Sequence, residues 1–424
     1  MLLKKWNKIS SLSLFTALTL VTLLNLNQPS LAGEEFARRS GDFVDTLGIN
    51  IHLNYEDTSY RRYRNLIKPR LIELGVHHVR DGVPAYALRA QAKMRDLAKV
   101  GIKTLLIVDP KHFRNVLDSI PMIKTLLTSL EAVEGPNEWD WRPGVTYKNQ
   151  GFPTGLRNFQ SEFYTAIKQD PKTAHFRVLA PSLVQTSAAS QLGAVPCDGG
   201  NMHTYLGSYP SEPGFFQKVT DAQAVCPDKP VTATEAGWYG LTTDPKSVGI
   251  SEQVAGKLLP RLWLEFYNRG VERTYIYELI DLFPHANDKE NRFGLLRFDG
   301  TPKPAFTALK NMTSLLSDQN TSFIPGSLNY SLQGLTTNIH HTLLQKGNRD
   351  FYLILWQEVP AFDTQKRDLA VLDRPITLTL GTRIRFAAAY RPLISDRALA
   401  VWSSPTSLRL QVPDHPLIIK LIPA

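Results

Sequence analysis

Two glutamates carry the most direct chemistry in the sequence. Glu138 lies in VEGPNEWDW (133–141), where an apolar run meets Gly135 and Pro136 and then presents Asn137 beside a carboxylate. Glu235 lies in TATEAGW (232–238), at the end of a second apolar run. Two carboxylates facing each other across a cleft are what glycosidic bond cleavage needs. One protonates the departing oxygen, and the other attacks the anomeric carbon or activates water to do so. A gap of about 5–5.5 Å suits a retaining reaction, and about 6.5–9.5 Å an inverting one. Other reactive side chains end short apolar runs in the same way. These are His52 and Asn54, Arg80 and Asp81, His203 and Tyr205, and Tyr277 and Glu278.

Those runs must be held by a repeating scaffold. From about residue 46, short apolar stretches such as KTLLIVDP (103–110) and RVLAPSL (177–183) alternate with helical patterns such as YALRAQAKMRDLAKVG and VAGKLLPRLWLEFYNRG. Eight such alternations predict parallel strands joined by helical crossovers, an α/β chain closed into a (β/α)₈ barrel. Side chains at the carboxyl ends of such strands share one mouth. The fifth and sixth units have the poorest helix signal, with frequent Gly, Ser and Pro. After residue 318 the pattern changes to β-type runs such as FYLILWQ and LIIKLI, separated by GNRD and PDHP. The chain is therefore expected to divide into a leader (1–32), a catalytic barrel (33–318) and a small β-sandwich (319–424).

The ordered set resembles clan A glycoside hydrolases, with affinities near families 5, 30 and 39. Asn137-Glu138 is similar to the Asn-Glu dyad of their fourth strand, and Thr234-Glu235 to their seventh-strand motif. His203-x-Tyr205 resembles the sixth-strand pair, and Arg80 takes the place of a second-strand arginine. NRFGLLRFDGTPKPAFTAL (291–309) is similar to the closing segment of such barrels. The resemblance implies Glu138 as acid/base, Glu235 as nucleophile, a retaining mechanism and no cofactor. Two positions depart from the pattern. Trp139 follows the dyad where proline is common, and Tyr277 and Glu278 stand where the eighth strand often has tryptophan.

Further expectations follow for the side chains around the pair. Asn137 is expected to meet the sugar 2-hydroxyl. Trp139, Trp141 and Trp238 are expected to offer flat faces to pyranose rings, and to shield Glu138 so that its pKa rises. Arg80 and Tyr205 are expected to hold Glu235 ionised. Packing readings stand beside these. Arg80 can instead serve Glu134 as a barrel ion pair, His203 and Tyr205 can be core residues, and Trp356 in FYLILWQ reads as core, while Tyr277 is expected among the substrate-binding or supporting residues. Two other functions compete: a carbohydrate-binding barrel without turnover, and a metal-dependent barrel hydrolase using His52, His77, His78, Asp81 or Asp109. No His pair there has metal-ligand spacing, so no metal site is assigned.

Composition bounds the setting. Lys4, Lys5 and Lys8 precede the uncharged run ISSLSLFTALTLVTLL (9–24), and small residues Ser30 and Ala32 follow. This reads as a secretory signal cleaved after Ala32, so the mature protein is expected to be secreted or periplasmic, with no lasting membrane insertion. The 424-residue chain carries a formal charge of +9. Losing the leader's three lysines leaves a mildly basic chain. Its scattered cations do not form a nucleic-acid stripe, and the expected partner is a glycoside, oligosaccharide or polysaccharide. The two cysteines, Cys197 and Cys226, precede the sixth and seventh strands. A bridge there closes a loop of about 30 residues, which contributes ~3–4 kcal/mol in the chain-entropy model.

Overall fold

In the computed structural model, β1 (Leu47–Asn50), β2 (His78–Asp81), β3 (Lys103–Ile107) and β4 (Leu130–Glu134) lie side by side. They continue through β5 (Arg177–Leu179), β6 (Gly200–Thr204), β7 (Val231–Ala236) and β8 (Thr274–Ile276) in one parallel sheet. The structure describes residues 32–424 apart from 212, 245, 247, 286 and 321, so all of the expected leader except Ala32 lies outside it. Register is direct: Ile49 pairs Val79 across β1 and β2, and Ile276 pairs Ala236 across β8 and β7. A parallel bridge between Leu179 and Gly199 closes the seam from β5 to β6. The sheet is therefore a barrel, as the alternation predicts.

The barrel interior is filled by side chains. Leu105, Leu179 and Tyr275 form a small cluster of their own, with Ala132 against it. Gly48 makes room for this layer, since a Cβ there would lie 2.3 Å from the Tyr275 ring. The crossover helices bury their apolar stripes on the outside of the sheet. Glu252–Asn268 buries Val254, Leu258, Leu262 and Phe266, each four positions from the next. The fifth crossover is short, Ala188–Leu192. The sixth is a full helix, Pro213–Val225, despite its poor sequence signal.

A disulfide joins Cys197 and Cys226, with Cα atoms 6.0 Å apart. It ties the entry to β6 to the end of the helix Pro213–Val225, at the end of the barrel away from the mouth.

Beyond the barrel, two β-sheets face each other across a shared core that includes Leu328, Leu353, Leu378 and Ile419. They draw on both ends of the chain. Ala32–Phe36 pairs antiparallel with Ser327–Gly334, and Arg38–Arg39 pairs with Ile339–Gln345. The sandwich docks on the helix Glu252–Asn268 through buried polar groups. Arg261 Nε donates to Glu358 Oε2 at 2.9 Å, and Trp356 Nε1 donates to Glu265 Oε1 at 3.0 Å. Trp356 is fully buried at this seam, so it is packing rather than surface. The same loop reaches the mouth, where Ala361 N donates to Ser208 O beyond β6. Among the described residues no helix is long and apolar enough to cross a membrane.

Candidate active site

Arg80 lies at the centre of the mouth. It is buried, and all five of its N–H groups are used. Nε and Nη2 clasp Glu134 in a bidentate pair, each at 2.7 Å. Nη1 donates to Glu235 Oε1 at 2.7 Å and to Asn50 Oδ1 at 2.9 Å. The second Nη2 hydrogen goes to Asn137 Oδ1 at 2.6 Å. Strand alternation alone offered Glu134 or Glu235 as the partner, and the guanidinium serves both. Burial opposes its charge, but Glu134 and Glu235 more than offset this and raise its pKa further.

Glu138 stands at the end of β4, past Gly135 and Pro136. Its backbone is left-handed, with φ 47° and ψ 43°. That conformation is uncommon for a residue with a Cβ and often marks functional sites. Its N–H is held by Ser182 Oγ at 3.1 Å. The carboxylate Oε1 lies 2.6 Å from His203 Nδ1, and the same Nδ1 lies 3.5 Å from Glu235 Oε2. Glu138, His203 and Glu235 each present an atom within 4.8 Å of the others, so one oxygen of each glutamate lies within that distance.

The hydrogen-bond network assigns the His203 tautomer. Asn201 Nδ2 donates to Glu134 Oε1 and Ala180 O, so its Oδ1 must accept the Thr234 hydroxyl at 2.6 Å. Thr234 Oγ1 then accepts from His203 Nε2, 3.1 Å away. Nδ1 is therefore bare when the ring is neutral. A hydrogen bond across the 2.6 Å to Glu138 Oε1 therefore needs a proton on Nδ1 or on the carboxyl.

That contact reverses one expectation. Burial pushes the Glu138 carboxyl up, but the charge and hydrogen bond of His203, with Arg80 and Arg142, hold it below its ordinary value. The three tryptophans differ in exposure. Trp139 is 1% exposed, packs edge-on to Phe159 and donates Nε1 to Val145 O. Trp238 is 7% exposed and donates Nε1 to Gly207 O. Neither presents an open face; Trp141 alone does, at 64% exposure.

Around Glu235 the geometry is tight. Tyr205 donates its hydroxyl to Glu235 Oε2 at 2.6 Å. Asn137 has its Oδ1 on Arg80 and its N–H on Asp109 Oδ2 at 3.0 Å, which leaves its amide NH₂ for a ligand. Glu235, Asn137 and Arg80 line a cleft of about 180 Å³ together with His52, Tyr55, Asp81, Asp109 and Tyr277.

Several members of this wall gave no signal beyond their residue types. His52 stacks on Tyr55 with ring centres 4.5 Å apart, and its Nε2 is 3.2 Å from the Tyr277 hydroxyl. Burial pulls the His52 pKa down to about 4, so the ring is neutral at pH 7. Behind it Glu278 is fully buried, accepts from Tyr60 at 2.9 Å and leaves Oε1 unbonded. Burial raises its pKa well above the ordinary value, so it is packed as a neutral acid. Asp81 accepts from the N–H groups of Leu53 and Gly82, and burial pushes its pKa up to about 7.

By distance, Glu138, His203 and Glu235 would also suit a cation. Both oxygens of Glu235 are already held, Oε1 by Arg80 at 2.7 Å and Oε2 by Tyr205 at 2.6 Å. His77 and His78 are far from the mouth. His78 is bound to Asp45 and Glu131, beside Arg273 at the opposite end of the barrel.

No protein-family model matches the sequence, and no curated protein matches it. Solved structures do. A glucosidase from Croceicoccus marinus superposes with a TM-score of 0.60 at 10% identity, covering 93% of this chain and 98% of that one. A family 39 glycoside hydrolase from Bacteroides cellulosilyticus WH2 gives 0.52 at 14% identity, covering 90% and 81%. Both likenesses include the barrel and residues after it. The chain has the (β/α)₈-barrel fold of clan A glycoside hydrolases, followed by a β-sandwich.

Proposed function

We propose that the protein is an exported glycoside hydrolase that cleaves O-glycosidic bonds with retention of configuration. The carrying observation is the approach of Glu138 and Glu235 to within 4.8 Å across the mouth. An approach of single oxygens to that distance favours the retaining spacing of about 5–5.5 Å between carboxyl groups over the inverting one of about 6.5–9.5 Å. It suits direct attack by a carboxylate.

In this reading Glu138 protonates the glycosidic oxygen. An oxygen of Glu235 attacks the anomeric carbon, the bond to the leaving group breaks, and a glycosyl ester forms on Glu235. Glu138, now a base, takes a proton from water as it displaces the ester. Arg80 and Tyr205 each take one lone pair of Glu235, which favours the carboxylate as nucleophile and as departing group. His203 shares the proton that Glu138 delivers. A bound sugar displaces water from the cleft and strengthens the burial that already opposes the Glu138 charge, so the proton moves to the carboxyl as substrate enters. Asn137 offers its NH₂ to a sugar hydroxyl, a contact that strengthens as positive charge grows at the anomeric carbon. No cofactor enters these steps. The disulfide suits an oxidising compartment, in keeping with export.

A panel of nitrophenyl glycosides and oligosaccharides tests this reading. Turnover of at least one member, with kcat cut by about 10³-fold or more in Glu235→Gln, supports it. A panel left untouched, with sugar binding intact, instead makes the barrel a carbohydrate-binding protein.

A further inference from the structure

We propose that the cavity walled by Trp141 receives the leaving-group side of the substrate, with the Trp141 indole as its stacking platform. This rests on the glycosidase reading and specifies its substrate class. The substrate is a glycan with at least one sugar ring beyond the scissile bond, not a glycoside of a small alcohol.

Position is the first argument. The cavity is a hollow of about 580 Å³, open to solvent, between the loop 139–146, Phe152 and Gln185. Arg142 lines both this cavity and the catalytic cleft, so the two adjoin. A general acid must touch the leaving oxygen, and whatever hangs from that oxygen extends past the acid, away from the nucleophile. Glu138 is that acid, and the cavity wall begins at the next residue, with the turn Trp139–Trp141.

Rigidity is the second. The Trp141 indole is 64% open to water and so free to meet a ligand. Here it is mounted on a fixed frame. Trp139 is anchored in the core, and the Asp140 carboxylate accepts from Val184 N at 3.1 Å and Gln185 N at 2.7 Å. Gln185 returns a hydrogen bond to Asp140 O at 2.6 Å. A pre-set aromatic face with Gln185 and Thr146 nearby matches the alternation of C–H faces and hydroxyls on a pyranose.

Two substrates with the same glycone separate the possibilities: the oligosaccharide that the wild type cleaves best and the matching glycosyl fluoride. Fluoride fills no leaving-group cavity. With Trp141→Ala, kcat/KM on the oligosaccharide is expected to fall about tenfold or more, while the fluoride rate stays within about twofold of wild type. Trp141→Phe keeps a flat ring and is expected to lie between. Equal effects on both substrates, or none on either, overturn the proposal and leave the glycosidase reading standing. A wild type that cleaves no fluoride and no glycan overturns both.

Discussion

His203 Nδ1 and Glu138 Oε1 lie 2.6 Å apart, while Nε2 of the same ring is committed as a donor to Thr234. The imidazole is therefore the hydrogen-bond partner of Glu138, the proposed general acid. Replacing His203 with Ala removes the cation that holds Glu138 down, and the carboxyl pKa is expected to rise under the burial that remains. The sign for stability follows. A depressed Glu138 contributes stability above the ordinary carboxylate pKa and loses it as the pH falls through the folded value, so the variant is expected to resist mild acid better relative to neutral pH. Carboxyl carbon NMR through a titration reads the shift directly. In kinetics, the variant is expected to lose about 10²-fold on substrates with poor leaving groups and much less on glycosyl fluorides. Equal losses on both would make His203 a packing residue.

Among the described residues Arg80 is the sole cation paired to Glu134, which is completely buried. Arg80→Met leaves that carboxylate unpaired in the barrel, at an expected cost of about 3–5 kcal/mol. Changing Glu134 to Leu in the same chain removes the stranded charge and is expected to recover much of the loss. Denaturation of the single and double variants measures both numbers. A single variant as stable as wild type would mean that Arg80 acts on Glu235 alone.

Asp81 couples stability to pH in the opposite sense from Glu138. Its pKa is about 7 in the folded chain against an ordinary value of 3.8, because burial outweighs its two backbone hydrogen bonds. The folded state holds the proton more tightly, so this contribution is complete below about pH 4 and is lost as the pH rises through about 7. The window is worth up to about 4 kcal/mol. Asp81→Asn cannot ionise. Its deficit relative to wild type is expected to be largest near pH 4.5 and to shrink by pH 7.5. A deficit constant across that range contradicts the assignment.

The fold was readable because each barrel strand is a short apolar run closed by Gly, Pro or a charged residue, and each crossover but two has a clear helical stripe. Pro213–Val225 escaped because PGFFQKVTDAQAV buries only Phe215, Ala222 and Val225, too few for a marked periodicity. The strand Ala32–Phe36 could not be assigned to the sandwich, since its partner Ser327–Gly334 lies nearly three hundred residues away. At the site, position along a strand indicates which side chains reach the mouth, so Arg80, Glu138, His203, Tyr205 and Glu235 could be named from order alone. It does not give direction after the strand ends. The left-handed backbone at Glu138 turns the chain so that Trp139 enters the core and Trp141 faces out. Residue types therefore offered three equal tryptophans where the structure exposes one. The His52–Tyr277 contact and the buried Glu278 depend on β1 meeting β8 at barrel closure, and no local pattern encodes that.

The sharpest test is covalent. A 2-deoxy-2-fluoro glycosyl fluoride, matched to whichever sugar the wild type cleaves, slows release of the glycosyl ester so that the ester accumulates. Mass spectrometry of the digested protein is expected to find one added fluorosugar, on the peptide containing TATEAGW and on Glu235. A label on Glu138 or another side chain, or inactivation by no fluorosugar of a matched series while the natural glycan is still cleaved, would contradict a retaining pair formed by Glu138 and Glu235.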